Sequence, residues 1–155
     1  MSTAARIVFV LALIVWLGEV LFLSLAAAPA IFRNFAVEEA GRVVSVLFPI
    51  YYRIGAACGV VLLVAALVLR MSGAARGTWT VVAAVVTVML AATLYAQLVV
   101  QPRAQSLRAQ LHQPNTPATI KEEFDGLHHR AVQLNGLVLM GGLAVAVIAA
   151  LRLNP

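Results

Sequence analysis

Four apolar runs, residues 7–28, 47–69, 78–100 and 128–151, divide this chain and leave it few folds to choose from. Each matches the about 20 residues that an α-helix needs to cross roughly 30 Å of hydrocarbon. In lipid every backbone N–H and C=O has to be satisfied within the protein, and a helix does so along its own length. Composition agrees: 63% of the 155 residues are hydrophobic, 11% are charged and the mean hydropathy is +0.97, more apolar surface than a soluble core can hide. The expected fold is an all-α integral membrane protein, a single domain over 1–155 built as a four-transmembrane-helix bundle in a lipid bilayer. The one cysteine, Cys58, has no partner in the chain and reads as a small packing residue.

The first run carries Arg6 ahead of it and Ala26-Ala27-Ala28 behind it, which mimics a cleavable signal peptide. Pro29 directly beyond argues against cleavage, so this run is expected to remain as the first span. Within the second span Gly55 and Gly59 form a small-xxx-small pair, which suits close packing between helices, expected here inside the bundle. Met71, Met89 and Met140 show no clustered copper-binding pattern and read as packing residues.

The net charge of +5 would suggest nucleic acid in a soluble protein. Here the basic residues are scattered at helix ends and do not alternate with aromatics, so they read as headgroup anchors and nucleic-acid binding is excluded. Four spans put both termini and the 70–77 loop on one side of the membrane. That side has Arg6, Arg70, Arg76 and Arg152 and no acid. The other holds Glu38, Glu39, Glu122, Glu123, Asp125 and all three histidines, so specific chemistry is expected there. A count of Lys and Arg alone favours external termini, with six on the second side against four. Arg6 immediately before the first run and the acids beside several second-side arginines favour the reverse. The expectation is a bacterial inner or plasma membrane with cytoplasmic termini.

Asn34 fits the N-cap of a helix, Glu38 and Glu39 complement its positive end, and Phe35, Ala40, Val43, Val44 and Leu47 recur at helical spacing. An interfacial helix over 35–48 follows. Pro49 has no N–H for the carbonyl of Ser45 and predicts a kink where the second span starts; Pro29 likewise frees the carbonyl of Leu25. Thr119 and Glu122 fit a capping box, which predicts a last helix from about Ile120 that stands clear of the membrane at its start.

A rise of about 1.5 Å per residue, measured from the arginines that mark the terminal side, puts Glu19, Arg53, Gln97 and Asn135 in the far half of the bilayer. These four define an expected polar pocket, with Arg53 the partner of Glu19. The pair reads either as a structural lock of little net stability or as a functional site that carries a proton or meets a cation. Tyr51, Tyr52, Tyr95 and His128 lie at or above that depth and form the expected mouth. Asn135 should face inward, since lipid would not accept it, and His128 lies two turns above it, facing the second span near Pro49 and Tyr52. There it could act as a gate whose charge changes near neutral pH. His129, about 100° away, and Arg130 should face headgroups or water.

A metal or haem site would draw on His128 with His112 folded back onto it, since adjacent histidines on a helix diverge; the favoured reading is no cofactor. The chain has no nucleophile elbow, HExxH motif, phosphate-cradling glycine loop or paired cysteines, so a non-enzymatic protein is expected. Two functions stay open. One is a membrane module that binds or conducts a small solute or ion through the polar pocket. The other is a metal- or haem-binding or accessory subunit, with a membrane protein or a second copy as partner.

The stretch "APAIFRNFAVEEAGRVVSVLFPIYY", with Pro29, Phe32, Gly41 and Pro49, and the later "FDGLHHRAVQLN" resemble the transmembrane-protein-205-like family of small four-helix membrane proteins. That resemblance implies a four-helix fold and a domain of unknown function, and it supplies no reaction. The family pattern places a serine one turn after the histidine, where this chain has Ala131.

Overall fold

A computed structural model describes residues 2–73, 75–111 and 117–153. The described residues form α1 (Ser2–Phe22), a π-helical turn (Leu23–Ala27), α2 (Ala28–Asn34), α3 (Val37–Met71), α4 (Arg76–Tyr95), a second π-helical turn (Ala96–Val100), α5 (Gln101–Leu111) and α6 (Ala118–Leu153). Because each π turn continues its helix, the chain makes four long rods, all apolar enough to cross a membrane. It is an all-α four-helix membrane bundle.

The rods do not end where hydropathy suggests. The first continues through Pro29 to Asn34, and α3 runs without a break from Val37 through Pro49 to Met71. The interfacial helix expected over 35–48 is therefore not a separate element but the first turns of α3. At about 1.5 Å per residue the 35 residues of α3 reach roughly 52 Å, well beyond the hydrocarbon layer. Asn34 does not cap α3. It closes α2, its amide nitrogen donating to the carbonyl of Ala30 at 2.8 Å, and Ala36 precedes α3 without a side-chain cap. Glu38 and Glu39 do occupy the first turn of α3. In α6 helical structure starts at Ala118, so Thr119 lies within the first turn rather than ahead of it.

Pro29 and Pro102 shape their helices in the same way. Each stands two residues after a π turn, where the preceding amide reaches five residues back: Ala28 N–H to the carbonyl of Leu23, and Gln101 N–H to that of Ala96. The extra residue in each turn accommodates a proline that cannot donate and whose ring crowds the preceding turn. Pro49 has no such turn, and α3 stays α-helical around it.

α3 packs against α1 and α4, and α6 against α4 and α1. The core is centred on Trp16, 2% exposed, with Phe9, Leu62, Val86 and Val145. Phe9 meets Trp79 edge to face at 5.3 Å, the favoured arrangement for two aromatic rings. Ile7, Leu11, Ile14 and Val15 on α1, and Met140 and Val147 on α6, are exposed and present an apolar face to lipid.

Gly55 and Gly59 are buried and face into the bundle. A Cβ on Gly59 would lie 2.9 Å from both Trp16 Cη2 and Leu90 Cδ1, and one on Gly141 would lie 2.8 Å from Met89 Cγ. These absent side chains let α3 approach α1 and α4, and α6 approach α4. A Cβ on Gly18, by contrast, would meet nothing within 4 Å. Gly59→Ala should therefore destabilise the bundle by about 1–3 kcal/mol through overpacking, whereas Gly18→Ala should be neutral or slightly stabilising through helix propensity. Thermal unfolding of the two variants in the same detergent checks the contrast.

Candidate functional site

On the side of the bundle away from the termini the rods part around a cavity of about 410 Å³. Its walls come from every rod: Ser24, Pro29 and Phe32 on the first, Phe48, Tyr51 and Tyr52 on α3, Gln101, Gln105 and Arg108 on α5, and Phe124, His128 and Asn135 on α6. On α5 the lining positions 101, 104, 105 and 108 follow helical spacing and form one stripe. Both π turns border the space, through Leu23 and Ser24 of the first and Val100 of the second.

The base is polar and connected. The Tyr51 hydroxyl donates to Asn135 Oδ1, and Asn135 Nδ2 donates to Ser24 Oγ at 2.8 Å. Three rods are thereby tied together by side-chain hydrogen bonds. Tyr51, Tyr52 and Phe48 pack into one aromatic cluster, with Phe48 stacked on Tyr52 at 5.8 Å and Tyr51 edge-on to Tyr52 at 5.1 Å.

The outer end is held by Arg108. Its guanidinium donates to the carbonyl of Gly41 and lies over the Phe124 ring, 5.5 Å from the centroid. Gly41 leaves room for it, since a Cβ would come within 3.1 Å of Arg108 Cζ. Outside the cavity Arg103 Nε donates to Glu123 at 2.7 Å and joins α5 to α6 in an exposed ion pair.

The expected polar pocket is brought together only in part. Asn135 faces inward and lines the cavity. Glu19 lies below that space, its Oε1 3.0 Å from the position of a Cβ on Gly55, and both its carboxylate oxygens are buried without a hydrogen-bond partner among the described residues. Arg53 is not its partner. It is exposed, and its Nε donates to the carbonyl of Pro49 on its own helix at 3.1 Å. The reason is azimuth. Gly55 faces Glu19, Tyr51 lies one turn from Gly55 on the same face, and Arg53 is two residues from each, about 200° around the helix. Gln97, in the second π turn, is half-buried and does not line the cavity.

Of the mouth residues, Tyr51 and Tyr52 lie at the cavity base and His128 in its wall, together with the motif residues Pro29 and Phe32. Tyr95 is exposed outside it, its hydroxyl accepting from Arg130 at 3.3 Å. Pro49 does not line it, and Gly41 acts through Arg108. His129 Nδ1 is 3.2 Å from the carbonyl of Asp125, one turn back on its own helix. Among the described residues no three potential metal ligands of the His, Cys, Asp and Glu types lie together; His112 falls outside the described residues.

Ser24, Gln101, Gln105 and Arg108 join the site without having been singled out from the sequence, and Phe124, which heads the quoted motif, lines it beside them. Arg108 reads there as a loop and headgroup residue because the third hydropathy run ends well before it. The available signal was Pro102, which, like Pro29, marks a helix continuing beyond the apolar run.

The chain matches the model of the family described as "Domain of unknown function (DUF4149)" over residues 11–113. It belongs to that family. The match supports an uncharacterised domain and not the narrower transmembrane-protein-205-like name. It covers α1 through α5, so the walls supplied by α6 lie beyond it. No curated protein and no solved structure matches the chain.

Arg53→Ala should change stability by no more than about 0.5 kcal/mol, as for an exposed side chain bonded only to its own helix. In a double-mutant cycle, Tyr51→Phe and Asn135→Leu should couple by about 1 kcal/mol, in the range found for hydrogen bonds between membrane helices. Unfolding in a mild denaturing detergent measures both; a stable bundle that loses most of its stability on Arg53→Ala would revive the ion pair.

Proposed function

We propose that this small integral membrane protein is a non-enzymatic binding module that takes a small, largely apolar molecule into the cavity between its four rods. The observation that carries this reading is the cavity itself. Its volume falls within the roughly 300–1,000 Å³ typical of ligand sites, and a few fixed polar groups stand among apolar walls, as such sites require. The Tyr51–Asn135–Ser24 chain gives that space a pre-organised base, which lowers the cost of ordering on binding.

Binding is favoured over conduction by what lies below. Toward the terminal side Trp16, Leu62, Val82, Val86 and Met89 are 0–2% exposed and fill the bundle interior. A solute entering from the cavity would pass the buried carboxylate of Glu19 and then meet a close-packed apolar core.

The experiment uses a diazirine-bearing dodecanol with the protein in phosphatidylcholine nanodiscs. Irradiation should label the 124–135 segment and the Phe48–Tyr52 turn above the level found on the lipid-facing residues of α1. Ala131→Trp, which fills the cavity from α6, should abolish that labelling, with an unchanged unfolding temperature serving as the fold control. Labelling spread evenly over the outer faces, and insensitive to Ala131→Trp, would refute the reading.

A further inference from the structure

The one permanent charge in the cavity lining is positive. The walls include Arg108 and His128 and no aspartate or glutamate, although this side of the protein holds Glu38, Glu39, Glu122, Glu123 and Asp125. Those acids stand outside it, and Glu123 is engaged by Arg103. An unpartnered hydrogen-bond donor accompanies the charge. Gln101 lines the cavity with its Nε2 buried and without a hydrogen-bond partner among the described residues. A buried amide left in that state is costly unless a bound acceptor completes it.

The donors stand among apolar lining. Arg108 and Gln101 lie two turns apart on the α5 stripe, about 10 Å along the axis, with Gln105 between them, and His128 comes from α6, which packs against α5. Apolar lining surrounds them, from Phe32 on the first rod, Val44 and Phe48 on α3, and Leu127 and Val132 on α6. A ligand that satisfies this lining carries acceptors and negative charge together with hydrocarbon.

We infer that the occupant is an amphiphilic anion, a carboxylate or phosphate head attached to an apolar chain, with the head against Arg108, His128 and Gln101 and the chain against Phe32 and Phe48. This deepens the proposed function and rests on the cavity being a binding site. Arg108 and Gln101 Nε2 are both donors, so the ligand has to bring acceptors; a cation is repelled by the guanidinium, and a neutral acceptor leaves its charge uncompensated, which an anion does not. Arg108 brings a charge that cannot be titrated away, held in a partly buried position where a charge-assisted hydrogen bond is strong.

The test compares dodecanoate, dodecanol and dodecylammonium as competitors of a diazirine-bearing dodecanoate in phosphatidylcholine nanodiscs. Dodecanoate should compete at least about tenfold more effectively than dodecanol, as for one hydrogen bond to a charged group, and dodecylammonium least of all. Arg108→Gln should remove most of the preference for the acid while leaving dodecanol labelling of the cavity in place. That residual labelling serves as the fold control, since Arg108 also holds Gly41. Gln101→Leu should weaken the acid without weakening the alcohol. Nanodiscs containing phosphatidylglycerol separate two sources: competition by that lipid identifies a membrane phospholipid, and its inertness beside active dodecanoate identifies a free single-chain anion. Equal competition by acid and alcohol overturns the inference and leaves the binding reading standing, while absence of cavity labelling by every probe overturns both.

Discussion

The bundle depends on one close approach, that of Trp16 on α1 to the bare backbone of α3 at Gly59. Lipid tails are as apolar as leucine, so helices in a membrane gain little from the hydrophobic effect and associate through tight packing instead. A glycine lets the indole reach van der Waals distance of the α3 backbone, and Leu90 closes the same spot from α4. From that contact toward the termini the interior is filled by large side chains, with Leu62, Val86 and Val145 fully buried. In the other direction the packing gives way to a cavity. The two π turns border this space, and the helix beyond each continues with a proline, at Pro29 and at Pro102.

A backbone irregularity at this depth is tolerated only where the freed groups find partners inside the protein or face a protected space. Each π turn retains internal hydrogen bonding through an amide that reaches five residues back. Side chains at the cavity base then tie the rods together by polar contacts, since Tyr51, Asn135 and Ser24 belong to three different rods. The same rod that must adapt to Pro29 thus supplies Ser24 to the network.

How much of this was legible follows from what hydropathy measures. Run length and composition identify four membrane helices because the requirement of about 20 apolar residues is a length constraint that the sequence states directly. Level along the bundle follows from the fixed rise per residue: Glu19 packs against Gly55, two residues from Arg53, and Asn135 meets Tyr51. Azimuth does not, because it depends on which face of each helix meets its neighbours. Arg53 has the right height and the wrong face, and a single clue decides it. Gly55 and Gly59, four residues apart, mark the face of α3 that approaches α1; Tyr51 lies on that face and Arg53 opposite it. Small residues therefore fix rotation where charges suggest only level.

The ends of the rods were the least legible part, and they carry the site's cationic group. Hydropathy falls off near residue 100, so the segment from Gln101 to Leu111 reads as loop although it extends the third rod as α5. Its polar stripe is then turned inward over the cavity, and Leu107, 1% exposed, docks the helix to the bundle. An arginine on an aqueous loop would be hydrated and silent. Placed on a helix packed against α6, with its guanidinium over Phe124 and against the Gly41 carbonyl, Arg108 is oriented by groups on two other rods. The helical extension beyond Pro102 thus converts a residue that sequence composition assigns to headgroup anchoring into the positive end of an enclosed space.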